Sequence, residues 1–464
     1  MTELEFFGAA QTVTGSMHIL HLDQGPFALD CGMFQGRRED ARQRNETFPV
    51  PPEQLQAVLL SHAHIDHSGN LPGLTRRGFR GPIYATPATC DLTEVMLADS
   101  AHIQEEDARF WNEKRAAGPS EFIKPLYTLQ DAKDAVALFR CVPYGQPIEI
   151  APGATATWLE AGHILGSASL LVAIHQSRPV HLLYTGDFGR QNMPILRDPT
   201  CPLPEVDYLI TECTYADRRH ADAIDMKHEL VRIINETVAV GGKVIIPSFA
   251  VGRTQMVVYY LCQAMAEGLL KPLPIYVDSP LSTNATEVFK KHPECYDREA
   301  RDFWFHSGDI FGGNKVRYIT SVDESKALNT MDEPCVIIAS AGMCEAGRIL
   351  HHLKNNIEKE RNTVVIVGFM AQHTLGRRIV ERREELKIFG RMYKLLCRVE
   401  ILNGFSAHAD AEDFARCLAP IAKDLRAAFV VHGEGPQPAA MSELLKRAGC
   451  RNVYIPAPGD RFTL

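Results

Sequence analysis

Three imidazoles and a carboxylate crowd into six residues of this chain, His62-Ala63-His64-Ile65-Asp66-His67. Neutral imidazole nitrogen and carboxylate oxygen are the donors that a borderline divalent ion such as zinc accepts, and no thiolate stands among them to favour an iron–sulfur cluster. His62 and His64, two residues apart, can point to one side of an extended turn while Asp66 and His67 point to another, which suits two neighbouring ions. A solvated histidine-rich loop explains the cluster poorly, because the whole chain has only 18 histidines in 464 residues. Metal held this way lowers the pKa of bound water and neutralises developing negative charge, so hydrolysis is the chemistry to look for.

Ligands must be placed by rigid elements. The apolar run Ala57-Val58-Leu59-Leu60 reads as a short buried strand that delivers the cluster into the loop after it, ahead of Gly69 and Pro72. Thr157 to Ala161 leads into Gly162-His163, Val180 to Thr185 into Gly186-Asp187, and Ala427 to Val431 into His432-Gly433-Glu434. Each is a strand-like run closing on one ligand beside a glycine. Singly, such a residue is more often part of a hydrogen-bonded turn; together with the cluster they make a ligand set. Residues 4 to 31 alternate as antiparallel strands do and end at Asp30, and Tyr208-Leu209-Ile210-Thr211 ends at Glu212.

At 464 residues, 45% hydrophobic and 23% charged, the chain is too long for one ordinary domain and has a soluble globular balance. The acidic start Met1-Thr2-Glu3-Leu4-Glu5 lacks the basic region of a secretory leader, and no run reaches the roughly 18 apolar residues of a membrane span; a cytoplasmic protein with no membrane partner is expected. Twelve cysteines without a Cys-x-x-Cys pair argue for reduced thiols, with Cys213 and Cys262 as core fillers. The net charge of −8 counts against a polyanionic ligand. Its distribution softens that objection, since eight Lys or Arg against three Glu fall between Arg377 and Arg398, and Arg76, Arg77 and Arg80 follow the cluster.

Apolar residues recur at helical spacing from Asp91 to Phe139, among them Leu92, Val95, Met96, Ala132, Val136 and Phe139, and His102 with Glu105, Glu106 and Asp107 reads as an exposed helix face. From Asp217 helix and strand alternate. Met226 to Val240 is amphipathic and stopped by Gly241-Gly242, and Lys243–Ile246, Pro274–Val277, Cys335–Ala339 and Thr363–Val367 are continuous apolar strands. That alternation predicts a parallel sheet wrapped by helices. With ligands on both sides of it, residues 217–395 form an insertion that divides the first domain into 1–216 and 396–464. The loops Pro247 to Arg253 and Ser340 to Met343 are each read as leaving a parallel strand and entering a helix, which points free backbone N–H groups outward where an anion could bind.

The order Asp30, His62-x-His64-x-Asp66-His67, His163, Asp187 and a late histidine resembles the metallo-β-lactamase-fold hydrolases. Glu212, Ser406-Ala407-His408-Ala409-Asp410 and His432-Gly433-Glu434 resemble the three further motifs of the β-CASP nucleases, the group containing the polyadenylation-factor endonuclease and RNase J. The likeness covers nearly the whole chain. It implies an α/β protein, an αββα metallo-β-lactamase sandwich with its metals at one edge, capped by an inserted parallel-sheet α/β β-CASP domain. It makes Asp30 a residue that holds the ligands without touching metal. Arg253, Ser340, Gly342 and Arg377 become phosphate or RNA contacts, and His432 as the last ligand implies RNA processing, with single-stranded RNA as the partner.

The mechanism expected is that of two zinc ions per chain, roughly 4 Å apart, which activate water and clamp an in-line displacement at phosphorus. His62, His64 and His163 are assigned to one ion, Asp66, His67 and His432 to the other, and Asp187 to both. His408 is the proton donor to the leaving oxygen, its ring oriented and its pKa raised by Glu212. Products then carry a 5′ phosphate and a 3′ hydroxyl. No separate RNA-binding module is expected after the metal domain, since about 30 residues follow His432. A small-molecule metallo-hydrolase of the same fold has no use for the Glu212–His408 pair, an RNA-binding scaffold would have lost ligands, and a di-iron oxygen reductase would want a carboxylate in place of His64. Endonuclease or 5′-to-3′ exonuclease action, and monomer or homo-oligomer, are left open.

Overall fold

A computed structural model describes residues 2–114, 122–176, 178–220 and 223–464. Two seven-stranded sheets carry the segments with the expected metal ligands. In the first, Glu3–Gly8, Met17–Leu22 and Gly25–Leu29 pair antiparallel, as their alternation predicts, and Ala57–Leu59, Ile83–Ala85 and Phe139–Cys141 continue in parallel, with Arg461–Thr463 on the opposite edge. The second runs Val453–Tyr454, Ala427–Val430, Tyr208–Thr211, Val180–Tyr184, Ala168–Ile174, Ala154–Glu160, Ile148–Ala151.

Successive side chains on a strand point to opposite faces, and burial follows that rule. Phe6, Leu20, Leu29 and Leu59 of the first sheet share one core with Trp158, Leu170, Leu182 and Phe429 of the second. The opposite-face residues Ile19, Val58 and Leu60 pack in a second core with residues of the helices Leu71–Arg76, Pro87–Lys114 and Leu129–Val136. Leu183, Leu209 and Val430 do the same with the helices Ala411–Ala422 and Gln437–Arg447. The result is helix, sheet, sheet, helix. Phe139, expected at the end of a helical run, opens a short strand; it falls three residues after Val136, so a half-buried apolar residue on the next element continued the helical period by coincidence.

The inserted segment builds a six-stranded sheet, parallel throughout, in the order Val316–Tyr318, Ile275–Asp278, Val336–Ala339, Val244–Pro247, Thr363–Ile366, Arg398–Ile401. Burial on both faces is why its central strands read as unbroken apolar runs. A separate hairpin pairs Glu385–Ile388 with Arg391–Lys394. The chain divides into two compact units, one of Met1–Gln191, Asp198–Arg219 and His408–Leu464, the other of Asn192–Arg197 and His220–Ala407. The expected junction at 395/396 falls inside the second unit, because Arg398–Ile401 extends its sheet by pairing with Thr363–Ile366. Arg398 and Glu400 alternate there with apolar residues, so this edge strand lacks the apolar run that marked its neighbours.

One expectation about the cysteines is corrected. Cys201 and Cys417, with Cα atoms 4.9 Å apart and 216 residues between them in sequence, form a disulfide inside the first unit. Cys213 and Cys262 are buried free thiols. Among the described residues no helix is long and apolar enough to cross a membrane.

A buried ionic knot holds the second unit. Asp278 ends the strand Ile275–Asp278 with no solvent exposure, and its oxygens accept from Arg348 Nη1, His352 Nε2 and Ser325 Oγ, all at 2.6 Å. Burial works to raise its pKa, but the hydrogen bonds from His352, Ser325 and Arg348 outweigh it and hold the carboxyl below its ordinary range. An acid whose pKa is lowered by folding adds stability above its unfolded value of about 4 and loses it as pH falls through the folded value. Urea midpoints are therefore expected to stay level above pH ~5 and to decline below ~4. Asp278→Asn should remove that component of the decline and cost about 3–5 kcal/mol at neutral pH, because Arg348 keeps its charge without a counter-ion.

Candidate metal centre

Seven ligand-type side chains converge in the first unit. His62, His64, His163 and Asp187 form one group, and Asp66, His67 and His432 form another, each with its ligand atoms within 4.8 Å of one another. His62 and His64 lie in the extended segment after Ala57–Leu59, while Asp66 and His67 lie on the single helical turn Ile65–Ser68, so the change from strand to helix parts the cluster into its two groups. Gly162 and Gly186, just before His163 and Asp187, have φ of 63° and 55°, backbone that favours glycine. At Gly186 a Cβ would also lie 2.8 Å from that of Ser61.

Asp187 faces both groups. Its Oδ2 lies 3.4 Å from His62 Nε2 and 3.4 Å from His163 Nε2, and its Oδ1 lies 3.2 Å from His67 Nε2 and 3.6 Å from His432 Nδ1. His64 Nδ1 is 3.2 Å from both His62 Nε2 and His163 Nε2. A tetrahedral ion with bonds of about 2.1 Å separates its ligand atoms by about 3.4 Å, so the spacing is that of donors around a shared centre. His67 Nε2 and Asp187 Oδ1 are buried with no hydrogen-bond partner. Orphaned polar atoms of this kind are expensive unless something charged lies between them. Five imidazoles and two carboxylates also match the donor set of a borderline divalent cation.

Electrostatics differ between the groups. Burial drives His62, His64 and His163 below the ordinary histidine range, with neighbouring imidazoles adding to it, and His64 reaches about 3. Neutral imidazole is the form that ligates. Burial acts the same way on His67 and His432, but Asp187 overrides it, joined by Asp30 for His67 and by Asp66 for His432, and both are raised. Burial likewise opposes ionisation of Asp66 and Asp187, yet the His432 hydrogen bond and His67 for Asp66, and His432 and His67 for Asp187, hold both carboxyls below their usual range.

Asp30 accepts four hydrogen bonds, from Ser61 N and Oγ, His67 Nδ1 and Tyr184 Oη, all at 2.7 Å. It therefore aims the orphaned Nε2 of His67 at Asp187. Ser61, Tyr184, Ser16 behind Tyr184, and Thr214, whose Oγ1 lies 3.2 Å from His432 Nδ1, were not singled out in the sequence; hydroxyls of this kind carry no spacing signal. Asp30→Ala is expected to weaken metal affinity 10–100-fold, read by competition with a chelator, while the fold stays cooperative.

A third group, Asp187, Glu212 and His408, adjoins the first two. Glu212 is fully buried; Oε1 accepts from Phe188 N at 2.7 Å and lies 3.1 Å from His408 Nδ1, and Oε2 accepts from Thr214 N. Those bonds engage both carboxylate oxygens and fix the side of the His408 ring that Glu212 faces. The backbone of His408 is pinned by a bridge to Gly189 and by the bond from Ala409 N to the Phe188 carbonyl. Burial alone would lower its pKa; Glu212, by charge and hydrogen bond, raises it to about 9.

The expected phosphate contacts lie in the second unit, at the carboxyl ends of its strands. Arg253 begins the helix Arg253–Ala266, and its guanidinium sits over the Phe249 ring and against Gly368, where a Cβ would be 2.0 Å from Nη1. Ser340 Oγ bonds Ser279 Oγ at 2.8 Å, and Gly342 packs under Phe249. The reading that Ser340 to Met343 enters a helix directly is corrected, since turns intervene and the next helix begins at Ile349. Glycine and small residues near a strand end signal a tight turn whether or not a helix follows. Arg377 Nε donates to Glu381 Oε1 at 2.9 Å, so part of its guanidinium is already engaged.

Comparison with known proteins follows this geometry. Residues 23–235 match the metallo-beta-lactamase superfamily, 254–379 the Beta-Casp domain, and 392–456 the Zn-dependent metallo-hydrolase RNA specificity domain. The last match spans the segment carrying His408 and His432, where no separate RNA-binding module was expected; the matched segment is built into the fold rather than appended to it. Ribonuclease TTHA0252 of Thermus thermophilus is 35% identical over 444 residues, covering 96% of each chain. Transcription termination factor FttA of Methanocaldococcus jannaschii is 30% identical over 98% of this chain and 70% of its own. A crystal structure of a protein of unknown function from Enterococcus faecalis V583 shares the fold over the full length of both chains, at TM-score 0.58 and 14% identity. With its ligand order, its dyad and near-full-length identity to such relatives in agreement, this chain belongs to the β-CASP ribonuclease family of the metallo-β-lactamase superfamily.

Proposed function

We propose that this chain is a zinc-dependent ribonuclease that hydrolyses phosphodiester bonds of single-stranded RNA. The observation that carries the reading is that three clusters meet at Asp187: two sets of metal-type donors and an oriented Glu212–His408 pair. Small-molecule hydrolysis on this fold would need the donors but not the pair. The matched RNA specificity segment and the ribonuclease name of the Thermus relative support RNA as the polymer.

The geometry supports a division of labour. His62, His64 and His163 would hold one ion, Asp66, His67 and His432 the other, and Asp187 one with each oxygen. When bound, such ions supply Lewis-acid charge to the phosphate oxygens and lower the pKa of water. Asp66 Oδ2 lies 3.3 Å from His432 Nε2, a spacing that suits two donors to one ion. Glu212 keeps the proton of His408 on Nδ1 and leaves Nε2 to face substrate. A proton delivered from Nε2 to the departing 3′ oxygen completes hydrolysis, with 5′-phosphate and 3′-hydroxyl ends. In the second unit, Arg253, Ser340, Gly342 and the free part of Arg377 are offered as phosphate contacts, at the carboxyl ends of parallel strands where ligands of open α/β sheets bind. The cytoplasmic setting loses one support, since the Cys201–Cys417 bond is not what reduced thiols would produce.

The test is cleavage of a 5′-labelled single-stranded RNA and its matched DNA by zinc-loaded protein and by Asp66→Ala. Internal RNA fragments absent from the DNA lane and lost in the variant are expected; mononucleotides alone would indicate exonuclease action. Fully metallated protein that cuts neither polymer would overturn the reading.

A further inference from the structure

The chain is acidic overall, with 49 Lys and Arg against 57 Asp and Glu, yet between residues 377 and 398 eight basic residues stand against three acidic ones. The second unit concentrates them. Its helix Leu375–Val380 packs beside the hairpin strand Glu385–Ile388, and a cavity of about 540 Å³ opens there, lined by Arg377, Arg378, Glu381, Arg383, Glu385 and Lys387. Glu381 is already taken, accepting from Arg377 Nε at 2.9 Å and Arg383 Nη2 at 3.0 Å. Among the described residues Arg378 has only the His373 carbonyl, at 3.4 Å. Among the described residues, Lys387, Arg391 and Lys394 have no carboxylate within ion-pair distance of their side chains. The cavity lining sets four cations, Arg377, Arg378, Arg383 and Lys387, against Glu381 and Glu385, and an anion between the cations relieves the repulsion of that excess.

The hairpin register sets which of these groups share a face. Residues directly opposite across an antiparallel pair lie on the same side. Lys387 lies across from Met392 and Glu385 from Lys394, so these four share the open face, while Leu386 and Ile388 are buried. At the tip the turn is Phe389-Gly390, with φ of 48° and 81°. Asn-Gly is the usual pair for such a turn, and a bulky residue there is strained. Phe389 nevertheless occupies it, 54% exposed, its ring centroid 4.7 Å from that of His351. An excess of cations beside an exposed flat ring is how proteins hold a single strand, with phosphates along the cations and a base stacked on the aromatic.

We propose that this pocket and hairpin form a second binding site for single-stranded RNA, built from none of the metal-centre side chains, which grips two or three phosphates on Arg378, Lys387 and Lys394 and stacks a base on Phe389. The choice of RNA over another polyanion rests on the ribonuclease reading above.

The test uses the full-length zinc-loaded protein and a fluorescent polyuridylate of about 20 nucleotides with hydrolysis-resistant phosphorothioate links. The combined variant Arg378→Gln, Lys387→Gln, Lys394→Gln is compared with a charge-matched control, Lys133→Gln, Lys423→Gln, Lys446→Gln. Binding by the first should weaken about tenfold or more, and the slope of log affinity against log salt should fall by about 2, the value for three lost contacts to a single strand. The control should match the parent. Phe389→Ala should weaken binding without changing the slope. Equal effects of both triple variants, or no effect of the first, would overturn the site. Displacement of the RNA by polyglutamate as readily as by unlabelled polyuridylate would overturn it in favour of an acidic protein partner. Binding and cleavage are read separately: a parent that binds RNA through these cations but cuts none sinks the nuclease reading alone, and a parent that cuts RNA while the variant binds normally sinks this site alone.

Discussion

Asp187→Ala is expected to take the metal content of the purified protein from the two ions per chain proposed above to less than one, and to abolish measurable RNA cleavage. Each oxygen of Asp187 faces a different donor group, and the side chain is buried with one oxygen lacking any hydrogen-bond partner. Removing it withdraws the one carboxylate of the His62, His64, His163 group and leaves five neutral imidazoles and Asp66 alone to offset the charge of two neighbouring cations that repel each other. A bound ion is asked for several kcal/mol of transition-state charge stabilisation, and each 1.36 kcal/mol is tenfold in rate, so a loss of at least about 10³-fold follows. Metal analysis after gel filtration, with circular dichroism to show that the fold survives, checks it. Two ions retained in the variant would show that Asp187 bridges nothing.

His408→Ala should give the opposite pattern, with full metal content and turnover reduced by about 10² to 10⁴, the usual range for a lost general acid. The pH profile separates a proton donor from a structural residue. An acid works in its protonated form, and the charge of Glu212 raises the pKa of His408 to about 9, so activity should persist through neutral pH and fall on the alkaline side. Glu212→Gln removes the charge that favours the protonated ring, so the alkaline limb should move to lower pH while metal content stays whole. A limb unmoved in Glu212→Gln would detach the pair from proton transfer, and metal loss in His408→Ala equal to that in Asp187→Ala would make the histidine a ligand.

Much of the centre is legible in the chain because its ligands cap strands. Once Ala57–Leu59, Ala154–Glu160, Val180–Tyr184 and Ala427–Val430 are read as buried strands, the His or Asp just beyond each is carried to a sheet edge, whatever lies between them in sequence. Continuous apolar runs likewise mark the parallel sheet of the second unit. The polar strand Arg398–Ile401, the disulfide across 216 residues and the Phe389-Gly390 turn escape that reading, since each depends on a partner far along the chain or on an unusual backbone conformation.

The division has a physical reason. By itself the sequence determined which side chains offer metal-type donors, which apolar runs were strands and that a parallel-sheet domain interrupts the other, because residue chemistry and hydrophobic period are local properties. The sharing of Asp187 and the pairing of Glu212 with His408 were expected through the family resemblance, but only the tertiary structure decided that Asp187 turns one oxygen to each donor group, that Asp30 takes four hydrogen bonds and holds His67 by one of them, and that Glu212 comes within 3.1 Å of a His408 196 residues away. Those are distances of a few ångströms between strand ends on different parts of the chain, and packing of the two sheets is what brings them within reach.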